Sequence, residues 1–442
     1  MKRQVIIGGS LATALALGGI STAAVAAVEP TSSATAVTAS TSAQATTAST
    51  AEAVDWSSLP TTDVTLTDAG LTITDAGTYV LSGSSTGQVV VNSEGAVRLV
   101  LDGVAIASGT GAAIQVDNAE LVVLELADGS TNTVSDASTR ADEDIDGAIY
   151  SADGLVVTGT GALTVTANFA DGIVGKDDLW IDSGTIAVTS VDDGIRGKDS
   201  LNISGGEITI SATGDGIKSS NDTDLGAGQL NISGGTLSIT SGDDAIKAEQ
   251  RIWITGGTID IPASVEGIEA PVIVIDGGDI TLAASDDGIN AAASDIITSG
   301  LSITINGGDI TIVMGAGDTD AIDSNGDLTI TGGTLTITAQ SAFDYDGTGT
   351  LTGGSITVNG QQVTQLTNQM MGGAGGAQTG GTTGGTSGGA QTGGTTGGTG
   401  GAQTGGTGGA QGGGAQVGGS GGPRAGGSAQ ASGGQMRGVL HR

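Results

Sequence analysis

A short acidic motif keeps returning at one distance. Asp193-Gly194-Ile195 is followed 22 residues later by Asp215-Gly216-Ile217, and a second signal runs with it. Glycine pairs begin at Gly205, Gly234, Gly256, Gly277, Gly307, Gly332 and Gly353, with Ser183-Gly184 as a variant before them. Their steps are 22, 29, 22, 21, 30, 25 and 21 residues, and the long steps carry polar insertions such as "SSNDTDLGAGQ" and "AAASDIITSG". A base period of 21–22 residues with loops added at a few places is how a solenoid accepts insertions.

Within one cycle the order is Leu201-Asn202-Ile203, turn, Ile208-Thr209-Ile210, turn, Ile217. Apolar residues alternate with Thr, Ser and Asn at period two, the spacing of strands, and nothing sustains helical spacing. A sandwich of short strands needs no fixed cycle. Three strands stacking on themselves about 4.8 Å apart do. The expected fold is all-β, a right-handed parallel β-helix, its hand following the general crossover preference. Period-two runs without the glycine pairs ("GTYVLSG", "VRLVLDG") place its first coils near Asp63, where they cap the open end.

The flanks read differently. Residues 1–27 have the layout of a secretory signal: Lys2 and Arg3, an apolar run, then Ala24-Val25-Ala26. A Ser/Thr/Ala-rich linker covers 28–54, the β-helix 55–367, and a Gly-rich low-complexity tail 368–442. The expectation is an exported or cell-surface monomer with no membrane insertion once the signal is removed.

With no Cys and a single His (His441, in the tail), thiol chemistry, a Ser-His-Asp triad and a His-bound zinc are excluded. Of the 47 carboxylates, 45 fall in the repeat region against eight bases, so nucleic acid is not an expected partner.

One coil later means the same place one rung up. Asp171, Asp193, Asp215, Asp244, Glu266, Asp287 and Asp320 therefore form a column on one edge, with Asp146 as a possible earlier member. Neighbouring carboxylates at this spacing repel by roughly 1 kcal/mol even at water-like dielectric. Arg196, Lys218 and Lys247 stand three residues after their acids, and Lys176 and Lys198 occupy the position two residues beyond; later coils place Glu269, Asn290 and Asp323 where the three bases were.

Oxygen-rich clusters without His or Cys suit calcium. Asp193 and Asp215, Asp286, Asp287 and Asn290, and Asp318, Asp320 and Asp323 are candidate ligands; a solvated acidic edge is the alternative. A second candidate is "DEDIDGAIYSAD", with Asp142, Asp144 and Asp146 in a D-x-D-x-D-G pattern ending at Asp153. It reads equally as an acidic turn between strands. Trp180 and Trp253 alternate with inward Leu and Ile, so both are expected to point outward in one column, three coils apart. With Arg196, Lys198, Lys218 and Lys247 they are candidate glycan contacts, packing under a covering loop being the other reading of the indoles.

At "DDGIRGKDSLNISGGEITI", "GDGIKSSND" and "EGIEAPVIVIDGGDITLAASDDGINAA" the chain resembles bacterial carbohydrate-binding domain proteins, secreted β-helices similar in shape to pectate lyases. The resemblance runs from about Asp63 to Val358 and includes the upstream "AGTYVLSGSSTGQVVV". It implies binding of a plant-type polysaccharide, polygalacturonate or cellulose, with calcium in the fold. Asp193, Lys198, Asp215, Asp287 and Asn290 conform to its motif, and the chain departs from it where Ser341 replaces the acid and Phe343 the isoleucine. A calcium-dependent polysaccharide lyase, using Lys198 or Arg196 beside Asp192, Asp193 and Asp215, and a structural surface adhesin are the competing expectations.

Overall fold

The computed structural model describes residues 54–315 and 319–368; the signal segment, nearly all of the linker and tail, and Asp318 lie outside the described residues. Those described form a parallel β-helix. One coil consists of Ile195–Gly197, Ser200–Ile203 and Glu207–Ser211, and the next begins at Ile217–Ser219 directly above the first of these. Stacking generates three parallel ladders. The acidic motif opens into the first, a 12-stranded sheet; the second and third share a 24-stranded sheet because Gly77–Ser85 and Val97–Ala107 run through both as single long strands.

Period-two alternation sends one side of every ladder inward. Ile195, Ile217, Ile246, Ile268, Ile289 and Ile322 stack in register in the first ladder, and all are fully buried. Each such side chain contributes about 1.5–3 kcal/mol by leaving water. Phe343 continues the stack in the last coil, with Ser341 above Asp320.

Each glycine pair makes the corner between the second and third ladders. Its second member has positive φ throughout, as at Gly206 (93°) and Gly257 (98°), a conformation that L side chains rarely adopt. At the C-terminal end Gln361–Val363 turns back antiparallel on Ser355–Val358 through Asn359 and Gly360, both with positive φ, and Val363 packs on the core. This hairpin occupies the otherwise open edge of the last coil. Among the described residues no helix is long and apolar enough to cross a membrane.

Candidate functional site

The acid column is a bonded structure. Asp193 N–H donates to Asp171 Oδ1 (3.0 Å), Asp215 N–H to Asp193 Oδ1 (2.9 Å) and Asp244 N–H to Asp215 Oδ1 (3.0 Å). Higher up, Asp320 N–H donates to Asp287 Oδ1 (2.9 Å). Every such carboxylate thus accepts from the backbone of the acid one coil above, which offsets part of the repulsion between rungs. It also explains why the acid precedes the tight corner: the amide it caps is that of its own successor. Asp171, Asp193, Asp215 and Asp244 are buried, not a solvated edge.

Their second oxygens meet the bases. Val174, Arg196, Lys218, Lys247, Glu269, Asn290, Asp323 and Asp344 form one register column in the first ladder. Arg196 reaches one and two coils down, to Asp171 Oδ2 (2.8 Å from Nε) and Asp146 Oδ2 (2.5 Å). Lys218 holds Asp215 Oδ2 at 2.7 Å; Lys247 bridges Asp244 (2.6 Å) and Glu269 (3.2 Å); Lys176 holds Asp146 at 3.1 Å. Carboxylate partners push the Arg196, Lys218 and Lys247 pKa values up despite the opposing effect of burial. Lys198 is half-buried and forms no ion pair among the described residues.

Burial dominates the acids. It raises Asp193 to about 7, with Lys218 opposing it and Asp171 and Asp215 adding to it. Glu266 is pushed up and Glu269 down: burial raises both, the neighbouring Glu269 adds to the rise of Glu266, and Glu266, Asp244 and Lys247 lower Glu269. Asn290 stands where a base would be and donates to Glu266 Oε2 (3.0 Å), while its own Oδ1 is buried without a partner. Asp287 rises to about 6 and Asp323 to about 7, each through burial first; around Asp323 the acids Asp287, Asp344, Asp320 and Asp346 add to the shift.

Carboxylates converge at three places: Asp171 with Asp192 and Asp193, Asp215 with Asp243 and Asp244, and Asp244 with Glu266 and Glu269. In each trio one oxygen per residue lies within 4.8 Å of the others, an all-oxygen donor set suited to a hard cation. Asp193 and Asp215 are among the ligands expected from sequence. Asp192 is expected only beside Asp193 and Asp215 in the lyase reading, and Asp243 is not among the expected ligands; the doubled acid in "DDA" is the signal that could have found it. Asp286, Asp287, Asp320 and Asp323 join no such trio among the described residues.

The "DEDIDGAIYSAD" loop does not close on itself. Gly147–Ser151 is a strand of the first ladder, Asp146 is committed to Arg196 and Lys176, and Asp153 accepts from Ala119 N–H (2.8 Å). Asp142 and Asp144 remain exposed at the turn before it.

The two indoles share a column, as expected: Trp180, Asn202, Asn231 and Trp253 are in register. Their environments differ. Trp180 is 5% exposed, packed with Val123 and Val156 of the coils below and with Val54 and Trp56 of the N-terminal turn. The expectation of an outward, sugar-accessible Trp180 is therefore corrected, because its outward column is apolar at this end and the turn at Val54 and Trp56 covers it. Trp253 is half-buried; its Nε1–H donates to Asp276 Oδ2 (2.7 Å) and the Arg251 guanidinium lies 5.4 Å from its ring centre.

Comparison with known proteins shows what this chain is similar to. A carbohydrate-binding domain-containing protein of Acetivibrio thermocellus is 42% identical over 124 residues, 26% of this chain and 43% of that protein's length. A solved structure titled as the polysaccharide lyase-like protein from C. thermocellum, gadolinium derivative, is 33% identical with a TM-score of 0.43, covering 49% of this chain and 92% of that one. The family model for carbohydrate-binding domain-containing proteins matches residues 67–320 and 258–389, which is most of the repeat region, and the chain belongs to that family.

Proposed function

We propose that this protein is an exported, non-catalytic polysaccharide-binding protein whose acidic edge takes calcium, with plant-type glycans such as polygalacturonate or cellulose as ligands. Family membership carries the polysaccharide reading. Support for calcium lies in the donor chemistry: Asp171, Asp192 and Asp193, and Asp215, Asp243 and Asp244, offer only carboxylate oxygens. A bound cation would neutralise carboxylates that burial now raises, and would offer a bridge to an anionic glycan.

The state of the bases argues for binding over lyase chemistry. A lyase needs a Lys or Arg able to give up its proton near neutral pH, which requires a lowered pKa. Arg196, Lys218 and Lys247 are shifted the other way, and each is locked to two or more carboxylates. Of the two bases that the lyase reading names, Arg196 and Lys198, only Lys198 has no such pair among the described residues.

Pull-down of the protein on insoluble polygalacturonate and cellulose, with calcium and then with chelator, tests this. Retention on polygalacturonate that chelator abolishes is the expected result. An unsaturated, ultraviolet-absorbing product from polygalacturonate, lost in Lys198→Ala, would establish the lyase instead. No retention on either glycan would leave the surface adhesin.

A further inference from the structure

The two long steps of the repeat place their extra residues at the same corner, between the first and second ladders. One insertion follows Ile217–Ser219 and spans about 220–228; the other follows Ile289–Ala291 and spans about 292–300. Their parent coils are three apart, about 14 Å along the solenoid, so two short-cornered coils form a floor between them. Insertions in a solenoid gather on one face, often the binding face.

Both walls are pinned. Asn221 is fully buried, donates to Asp199 (2.6 Å) and accepts from the Thr223 and Asp224 amides; Gln250 ties Gly226 and Asp224 to the floor. On the other side Ser294 Oγ reaches back over two coils to the Glu249 carbonyl (2.6 Å) and accepts from Ile297 N–H (3.1 Å). Over the floor coils, against the second insertion, lies a cleft of about 340 Å³, lined among others by Lys247, Glu249, Glu269, Pro271, Ser294 and Asp295. That volume falls at the lower end of small-ligand clefts, about 300–1,000 Å³.

The charges in the cleft are not balanced. Lys247 is already held by Asp244 and Glu269, leaving Glu249, half-buried, and Asp295, exposed, with no ion pair among the described residues. Glu249 stands between the loops: burial raises its pKa first, Lys218 and Lys247 oppose this, and Asp222 of one loop and Asp295 of the other add to it. Such a cleft repels a uronate and complements a sugar that presents positive charge. Pro271 and Ala292 supply an apolar contact for a ring face.

We infer that this cleft is a subsite for an amine-bearing sugar unit, a 2-amino-2-deoxy hexose with its ammonium between Glu249 and Asp295. The inference rests on the polysaccharide-binding reading and adds a ligand class to it.

The test is calorimetric titration of the full chain, in chelator, with tetramers of glucosamine, glucose (β-1,4) and galacturonate, for wild type, Glu249→Gln and Asp295→Asn. The glucosamine tetramer should bind about tenfold more tightly than the neutral one, and each substitution should remove most of that preference. Asp295 is exposed, so Asp295→Asn keeps the fold even if Glu249→Gln perturbs it. Equal affinity for amine and neutral tetramers, or a preference untouched by Asp295→Asn, overturns the subsite. If the subsite fails while polysaccharide pull-down succeeds, the general reading stands; failure of both removes it.

Discussion

Below and above Glu269 the acidic edge uses the same register and the same corner, yet its electrostatics are opposite in kind. In the lower coils Arg196, Lys218 and Lys247 interleave with Asp146, Asp171, Asp193, Asp215 and Asp244, and the acids are bonded amide to carboxylate from rung to rung. In the upper coils the same positions hold Asn290, Asp323 and Asp344, and the sequence has no Lys or Arg between Arg251 and Arg424. One half is cross-linked by charge. The other concentrates it. A repeat can therefore keep its backbone while exchanging the one side chain that decides whether a column is a structural seam or a store of negative potential.

Arg196→Met should expose this difference most sharply. It leaves the Asp171 and Asp146 carboxylates without their guanidinium, and breaking a buried pair from one side costs about 3–5 kcal/mol, read as a lower urea midpoint. A loss below 1 kcal/mol would mean the amide-to-carboxylate bonds alone hold the lower column.

Calcium comes next. At one hundred times its Kd a single-site ligand adds about 2.7 kcal/mol, and the stabilisation should disappear in Asp192→Asn combined with Asp243→Asn. Stabilisation that survives this pair but is lost in Asp287→Asn with Asp323→Asn would move the ion to the upper coils.

The third test is pH. Asp287 and Asp323 have folded-state pKa values of about 6 and about 7, above the ordinary carboxylate value. Between the unfolded and folded pKa values the native state binds more protons, so stability falls as pH rises through this window. The melting temperature in chelator should climb as pH drops from 7.5 towards 5, and Asp287→Asn with Asp323→Asn should flatten that slope. A slope unchanged in this variant would assign it to the lower column, where Asp193 also titrates near 7.

The smallest effect is Asp323→Asn alone at pH 8. Removing one uncompensated charge should stabilise the protein slightly, by up to about 1 kcal/mol, the scale of one neighbouring repulsion. Destabilisation would show that Asp323 has an attractive partner.

Much of this is legible in the amino-acid sequence. The cycle of glycine pairs and Ile-x-Ile runs specifies coils because a stacked parallel ladder repeats its environment at every rung, so equivalent residues must recur at equal steps. The same arithmetic placed Arg196, Lys218, Lys247, Glu269, Asn290 and Asp323 in one column and put the two Trp three coils apart. Asp192 is legible beside Asp193 in the calcium-dependent lyase reading, whereas Asp243 is not. Only the folded corner brings Asp192 and Asp193 together with Asp171, and Asp243 and Asp244 together with Asp215.

The sequence by itself determined periodicity, register and the order of charges along the edge, because these follow from local spacing and a fixed rise per coil. Tertiary structure alone decided what covers what. Trp180 and Trp253 carry the same local pattern, but the N-terminal turn at Val54 and Trp56 lies over one and Arg251 beside the other. Nothing in the second insertion announces that Ser294 returns to the Glu249 carbonyl of a coil about 45 residues earlier and lines a cleft there. Coverage and enclosure depend on contacts between distant segments, which a repeat's own spacing does not encode.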